Sequence, residues 1–424
     1  MRGKFIIQGG NQLSGEIEVK GAKNASLPIM CATVLAEGEF VLENVPDLRD
    51  VVIMVKLLEC LGLKVEKLNN STYKIVNSGL TSVEAPYELV SEMRASFIIA
   101  GSLLGKEKKA RVALPGGCAL GARAVDQHLK AFEQLGVQVT TEHGFVNLSA
   151  DNLVGNEVDV EVEKLKIPSV GATENVMMAA VLAKGETIIH NAAKEPEIVD
   201  LGNFLIKMGA NIQGLGTDKI IISGVEELHA CEYSIMSDRI EAGTYIILSL
   251  ITGGNIKIKN VNLDDLPGFV AKLEEMGVDF KQEENLLSVN GNLETLKNIK
   301  LETQPHPGFP TDLQPQMMVL LSLIHGMSEI KETIFSNRLM LVPELNRMGS
   351  KIVVEDRMAM VEGDVKLEGV EVTAPDLRAG VSLVLAGLIA DNTTIINEIK
   401  HVERGYENLA ERLQKVGAKI ERVI

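Results

Sequence analysis

Apolar residues along this chain fall into two alternating kinds of block. The first is a run that would be apolar on nearly every side of a helix, at 27–35, 97–104, 176–182, 245–251, 317–324 and 381–389. A helix without a polar stripe is predicted to be buried. The second kind is amphipathic and ends on a shared signature. It reads Leu58-Glu-Cys-Leu-Gly62, Phe132-Glu-Gln-Leu-Gly136, Leu205-Ile-Lys-Met-Gly209, Leu273-Glu-Glu-Met-Gly277, Leu345-Asn-Arg-Met-Gly349 and Leu413-Gln-Lys-Val-Gly417. Each glycine stands where a helix C′ glycine belongs, and β-type residues such as Lys64-Val-Glu or Lys419-Ile-Glu follow it. After each all-apolar run a Gly or Asp-Asn turn leads into a predicted strand: Glu39-Phe-Val-Leu, Arg111-Val-Ala-Leu, Glu186-Thr-Ile-Ile, Asn255-Ile-Lys-Ile, Ser328-Glu-Ile-Lys and Thr393-Thr-Ile-Ile.

The blocks are six copies of one unit of about 70 residues. Successive signature glycines lie 74, 73, 68, 72 and 68 residues apart. One buried helix, one amphipathic helix and several strands per unit predict an α/β architecture with helices inside and sheets outside. Six units exceed a single core, so two groups of three are expected, joined near 226–237. The interval from turn to signature glycine is 23 to 25 residues in five units, but 31 in the second, from Gly105 to Gly136. The excess falls in Leu114-Pro-Gly-Gly-Cys-Ala-Leu-Gly-Ala-Arg123. An insertion into an otherwise even repeat marks a functional loop, and this one carries a thiol, Cys118.

Polar residues gather where the buried helices begin. Lys23-Asn24 precede the first, Met93-Arg94 the second, Ala172-Thr-Glu174 the third, Ser237-Asp-Arg239 the fourth, Thr311-Asp312 the fifth and Asp376-Leu-Arg378 the sixth. Asp or Thr there is a helix cap. Lys23, Arg94 and Arg378 oppose the helix dipole. Two readings compete: a salt bridge to a neighbour such as Asp376, or cations and helix ends converging on a polyanion. The second is favoured. Near Cys118 stand Arg123, Asp126 and His128, and a nearby cation lowers a thiol's pKa below its usual value of about 8.5. Cys31, Cys60 and Cys231 read as inert. Asn337-Arg338 and Arg404-Gly-Tyr406 add arginines in loop positions, each by itself a solvated charge.

The formal charge of −16 argues against nucleic acid or an anionic membrane as partner, so an anionic substrate would need a local basic cluster. Four cysteines without a CxxC pair indicate neither a disulfide framework nor a zinc site. No GxxxxGK[ST] or GxGxxG loop occurs, and the histidines form no metal-ligand cluster, so no metal and no cofactor is expected. The absence of a signal-like or membrane-length apolar run makes the cytoplasm the expected location.

In combination, Lys23-Asn24, Met93-Arg-Ala-Ser96, Leu114-Pro-Gly-Gly-Cys118 with Gly-Ala-Arg123, and Ser169-Val-Gly-Ala-Thr-Glu-Asn175 resemble the UDP-N-acetylglucosamine 1-carboxyvinyltransferases of the EPSP synthase superfamily. So do Phe309-Pro-Thr-Asp312, Asn337-Arg338, Asp376-Leu-Arg378 and Arg404-Gly-Tyr406. The resemblance runs through the whole chain. It implies transfer of the enolpyruvyl group of phosphoenolpyruvate to the 3′-hydroxyl of UDP-N-acetylglucosamine with release of phosphate, the first committed step of peptidoglycan synthesis. It also implies two inside-out α/β barrel domains, 21–230 and 1–20 plus 231–424, because in that family the first strand joins the C-terminal half.

Carried over by resemblance, the catalytic residues would be Cys118, Asp312 and Lys23. Phosphoenolpyruvate would meet Lys23, Asn24, Arg123, Arg338, Arg378 and Arg404. UDP-N-acetylglucosamine would meet Arg94, Arg123, Ala124, Val125, Asp126, Gln127, Ser169, Val170, Gly171, Asp312 and Ile334. Ala124 departs from the proline frequent in the family. Cys118 would be the general acid, or would form a covalent adduct with phosphoenolpyruvate, and would be the target of the epoxide fosfomycin. Asp312 would take the hydroxyl proton, or only orient the sugar. Three other readings share parts of the pattern. Enolpyruvyl transfer to shikimate 3-phosphate uses the same six units but lacks Pro-Gly-Gly-Cys. A six-unit DNA clamp would need basic inner helices, and an inactive nucleotide-sugar-binding paralogue would not need Lys23, Cys118, Asp312 and Arg404 together.

Overall fold

Six helices in which almost every residue is apolar or small are the inner elements of the protein. The computed structural model describes residues 3–114 and 125–424. Cys118, Arg123 and Ala124 lie outside the described residues, as does the side chain of Arg94. Lys23–Ala32 is buried without a break from Ala25 onward, Arg239–Thr252 from Ile240 onward, and Leu377–Ile389 from Arg378 to Leu388. Ile99–Glu107, Val170–Ala180 and Gln314–Leu323 behave alike. Close packing demands small residues between them. A Cβ on Gly101 would sit 2.3 Å from the Asn175 carbonyl oxygen; instead the Gly101 N–H donates to Asn175 Oδ1 at 2.6 Å.

The amphipathic helices cover the inner ones. Arg49–Cys60 buries Asp50, Val51, Ile53, Met54, Leu57 and Leu58, one stripe of a 3.6-residue repeat. All six signature glycines have positive φ, between 80° and 110°, so the C′ assignment holds at every one. The fifth such helix, Val342–Arg347, is short and enters through a 3₁₀ turn, Arg338–Leu341.

Among the described residues, six four-stranded sheets form the outer layer. In the first, Gly38–Glu43 pairs antiparallel with Tyr73–Asn77, which pairs antiparallel with Lys64–Lys67, while Glu232–Ser234 adds in parallel. The other five repeat this order. The start of the chain completes two of them: Lys4–Gln8 lies between Thr393–Asn397 and Lys419–Val423, and Ser14–Glu18 runs parallel to Asn255–Lys259. Burial alternates along these strands, as in Glu186–His190, with one face on the helices and one towards solvent.

The chain divides into two compact units, one holding residues 21–114 and 125–236, the other 3–20 and 237–424. Each has its own apolar cluster. The expected boundary at 230/231 falls six residues early. The first sheet needs its parallel fourth strand, and Glu232↔Val41, Tyr233↔Leu42 and Ser234↔Glu43 supply it. The pairing keeps 231–236 in the first unit.

One buried ion pair ties the early segment into the second unit. Arg412 Nη1 donates to Glu241 Oε1 at 2.6 Å, and Arg412 Nη2 also donates to the Glu18 carbonyl. Glu241 Oε2 accepts the Lys20 N–H at 2.8 Å, and Glu241 Oε1 accepts the Tyr245 hydroxyl at 3.0 Å. Removing one partner strands a buried charge, which costs about 3–5 kcal/mol. Glu241→Ala is therefore expected to lower the calorimetric unfolding transition of the second unit by an amount of this order. Glu241→Met combined with Arg412→Leu is expected to restore most of it. An unmoved transition in Glu241→Ala would show the pair to be dispensable.

Candidate functional site

In the first unit, the starts of the inner and outer helices place charge close together. Lys23 opens Lys23–Ala32 and Asp50 lies in the first turn of Arg49–Cys60; Lys23 Nζ is 3.5 Å from Asp50 Oδ2, and Asp50 is buried. The cation at this helix start therefore has a carboxylate beside it. Asn24 follows, half-buried.

A second group forms around His128. Its Nδ1 lies 2.7 Å from Asn175 Nδ2, and its ring meets Phe97 edge-on at 5.3 Å. Gly171 passes directly beneath: a Cβ there would lie 2.8 Å from His128 Cε1. Through this ring Asp126 and Gln127, at the start of Asp126–Gln134, stand beside Ser169, Val170 and Gly171 at the start of Val170–Ala180. Ser169 caps that helix by accepting the Ala172 N–H, and Gln127 Nε2 donates to the Asp159 carbonyl. Val125 is buried in the core, which leaves only its backbone for a ligand. Glu174 is buried on the same helix. Burial, reinforced by Glu197 and Glu195, pushes its carboxyl well above the usual range and favours the neutral acid.

The second unit holds the densest charge. Asp312 lies in the 3₁₀ turn Thr311–Leu313 that leads into Gln314–Leu323, with its side chain 26% exposed. Its Oδ1 accepts from Arg338 Nη2, and its Oδ2 accepts from Arg378 Nη2 at 3.0 Å. Arg338 and Arg378 are only 2% and 3% exposed. Arg338 also donates from Nη1 to Asp376 Oδ2 at 3.5 Å and from Nε to Thr311 Oγ1 at 3.2 Å. Arg378 donates to the Tyr406 hydroxyl at 3.3 Å, and Tyr406 meets Thr244 at 2.8 Å. Burial works against the charge on Arg378, but Asp312, Tyr406 and Asp238 outweigh it, so the guanidinium stays charged.

These contacts revise two expectations. Arg338 is no solvated loop charge; it is the largest fully buried side chain of the described residues. The salt-bridge reading of the helix-start cations holds for Lys23 with Asp50 and for Arg378 with Asp312. Asp376 serves Arg338 instead, while its other oxygen caps Leu377–Ile389 through the Ala379 N–H. A carboxylate held between two cations is also the arrangement a substrate anion would meet here.

Ile334 is half-buried, and its N–H donates to Glu332 Oε1 at 2.8 Å. Arg404 ends the 3₁₀ helix Ile399–Arg404; burial, then the charges of Lys400 and Arg404, hold His401 below its ordinary pKa. His306 beside Arg239 is pushed down to about 4, by burial first and then by that arginine. Among the described residues no group of three or more His, Cys, Asp or Glu could hold a metal, and no helix is long and apolar enough to cross a membrane.

Asp50, Glu332 and the choice of Arg338 as the partner of Asp376 were not legible in the sequence. Asp50 had one weak signal, an acidic residue in the first turn of an amphipathic helix, but nothing in sequence set it beside Lys23. Glu332 had none.

The family profile described as EPSP synthase (3-phosphoshikimate 1-carboxyvinyltransferase) matches residues 7–413. The chain is 50% identical over 422 residues, covering all of both chains, to UDP-N-acetylglucosamine 1-carboxyvinyltransferase 1 of Caldanaerobacter subterraneus subsp. tengcongensis. It is also 50% identical, over 99% of both chains, to UDP-N-acetylglucosamine 1-carboxyvinyltransferase 2 of Carboxydothermus hydrogenoformans. In fold it is similar to the enolpyruvyl transferase NikO from Streptomyces tendae, with a TM-score of 0.90 at 24% identity, covering 100% of this chain and 99% of that one. With six four-stranded sheets around buried helices among the described residues, and this agreement along its whole length, the chain belongs to the EPSP synthase family, in its UDP-N-acetylglucosamine 1-carboxyvinyltransferase branch.

Proposed function

We propose that this protein transfers the enolpyruvyl group of phosphoenolpyruvate to the 3′-hydroxyl of UDP-N-acetylglucosamine, releasing phosphate, in peptidoglycan synthesis. The observation that carries the reading is the identity of half of all positions, end to end, with proteins of that name. The arrangement around Asp312 is consistent with it.

In this reading Cys118 delivers a proton to the methylene carbon of phosphoenolpyruvate. That carbon becomes a methyl group, and the neighbouring carbon gains cationic character. The sugar hydroxyl oxygen bonds there as Asp312 accepts its proton. The Cys118 thiolate then takes a proton back from the methyl group, the bond to the phosphate oxygen breaks with its electron pair leaving on the phosphate, and the carbon–carbon double bond returns. Lys23, Arg123 and Arg404 neutralise the departing phosphate and the carboxylate. Asn24 and Arg94 span the two substrates, and Arg338 and Arg378 hold the substrate carboxylate or steady Asp312. Arg123, Ala124, Val125, Asp126, Gln127, Ser169, Val170, Gly171 and Ile334 line the nucleotide-sugar site, Val125 through its backbone. The same thiol can add through sulfur to phosphoenolpyruvate. A cytoplasmic location belongs to the same proposal.

A phosphate-release assay tests the acceptor: turnover is expected with UDP-N-acetylglucosamine and none with shikimate 3-phosphate, and the reverse would overturn the assignment. Acid catalysis contributes about a hundred- to ten-thousand-fold. Cys118→Ser should lose activity on that scale, and wild-type turnover in this variant at every pH would exclude the acid role. Fosfomycin is expected to label Cys118, read by peptide mass spectrometry; label on Cys31 or Cys60 instead would count against the loop. Asp312→Asn keeps the shape but removes the base, so kcat should fall by about a hundredfold or more. A fall below about tenfold would leave Asp312 the role of orienting the sugar.

A further inference from the structure

The six repeats provide an internal comparison for the residue that follows the first strand of each unit. In three of them it is an asparagine with positive φ: Asn44, Asn191 and Asn260, at 52° to 61°. Each spends its side-chain amide on a neighbouring segment, donating to the Ile235 carbonyl, Asp159 Oδ1 and Glu18 Oε1 respectively. In the fifth repeat the strand Met327–Lys331 is followed by Glu332, which is absent from the left-handed region and only 1% exposed. Its carboxylate turns inward.

Glu332 Oε1 accepts the N–H groups of Ile334 and Phe335 at 2.8 and 3.0 Å. Glu332 Oε2 accepts the Thr311 hydroxyl at 3.0 Å, and Thr311 Oγ1 in turn accepts Arg338 Nε–H at 3.2 Å. The direction of this chain is forced. A guanidinium only donates, an ionised carboxylate only accepts, and a hydroxyl has one proton to give. With that proton committed to Glu332, the lone pairs of Thr311 face Arg338. Arg338 Nη2 then grips Asp312 Oδ1, and the Phe335 ring lies 4.9 Å from the same guanidinium.

We propose that Glu332 is a positioning residue for the transfer reaction, acting through the Thr311 hydroxyl to aim Arg338 and hence Asp312, and through two backbone N–H bonds to set the turn that carries Ile334. The proposal rests on the reading above in which Asp312 and Ile334 meet the acceptor sugar. Glu332→Gln is nearly isosteric but cannot satisfy both sides. If its carbonyl keeps the two backbone N–H groups, its amide donates to Thr311 and reverses that bond, and the negative charge behind Arg338 is lost.

The test is steady-state phosphate release by Glu332→Gln, Thr311→Val, Thr311→Ser and the Gln/Val double variant, with the arginine Nε–H signals of each recorded by nitrogen-edited NMR. A small misplacement of reacting groups can cost about a hundredfold. We expect kcat to fall roughly ten- to hundredfold in Glu332→Gln and Thr311→Val. Of the single variants only Glu332→Gln should raise KM for UDP-N-acetylglucosamine, because an amide carbonyl holds the Ile334 and Phe335 N–H groups less strongly than a carboxylate does. Thr311→Ser, which keeps the hydroxyl, should restore kcat, and the double variant should be no slower than the slower single one, as expected of one shared path. The Arg338 Nε–H signal should be sharp in the wild type and exchange-broadened in Glu332→Gln and Thr311→Val. Unchanged kcat with only a lowered melting temperature would reduce Glu332 to a structural role and overturn the proposal, as would a Thr311→Ser variant as slow as Thr311→Val. If the wild type releases no phosphate with UDP-N-acetylglucosamine, the functional reading fails, and the Nε–H signal decides the positioning by itself.

Discussion

A helix that is apolar on every side cannot lie on a surface, and that constraint organises this protein. Each repeat brings one such helix, and a single repeat cannot bury it. Three repeats can, if their helices pack together and their sheets and amphipathic helices close around the outside. Close packing then leaves little room between the inner helices, and a polar side chain buried there needs a partner, as the Gly101–Asn175 contact shows. Polar chemistry is left the ends of the inner helices, where unpaired N–H groups and the dipole favour anions. Lys23, Ser169, Asp238, Asp312 and Asp376 all stand at such ends.

Burying charge there requires partners, because an isolated buried ion is costly in a medium of low polarity. In the second unit the solution is a chain of opposite charges. Asp312 joins Arg338 to Arg378, Asp376 joins Arg338 to a helix start, and Thr311 links Arg338 to Glu332. Such a network restricts each group to one orientation, at the expense of tolerance to change in any of them. A carboxylate so placed can interact with a hydroxyl from a defined direction. In the first unit the corresponding pair is Lys23 and Asp50. There the ordering falls to His128, whose ring occupies the space that Gly171 leaves open.

The elements were legible in the chain because their signals are local. An all-apolar run, a C′ glycine and a β-type segment each act within a few residues, and six repetitions average out local ambiguity. All six signature glycines took positive φ, and all six predicted strands formed. The join falls at the far end of the expected 226–237 because the segment Glu232–Ser234 is made a strand by its distant partner, Gly38–Glu43. Little in its own composition marks it as one.

The candidate site divides along the same line. Motif residues such as Lys23, Asp312, Arg378 and Arg404 stood out by type and position in the repeat, and resemblance attached roles to them. The burial of Arg338, the fork of Asp312 between two arginines, and the inward turn of Glu332 are contacts across 26, 66 and 21 residues of sequence. Sequence by itself determined the period, the inner and outer helices and the ends at which chemistry could sit, because hydrophobic pattern and backbone preference are short-range. Only the tertiary structure decided which charges meet, because a salt bridge depends on distance in space, which the spacing of two residues along the chain does not set.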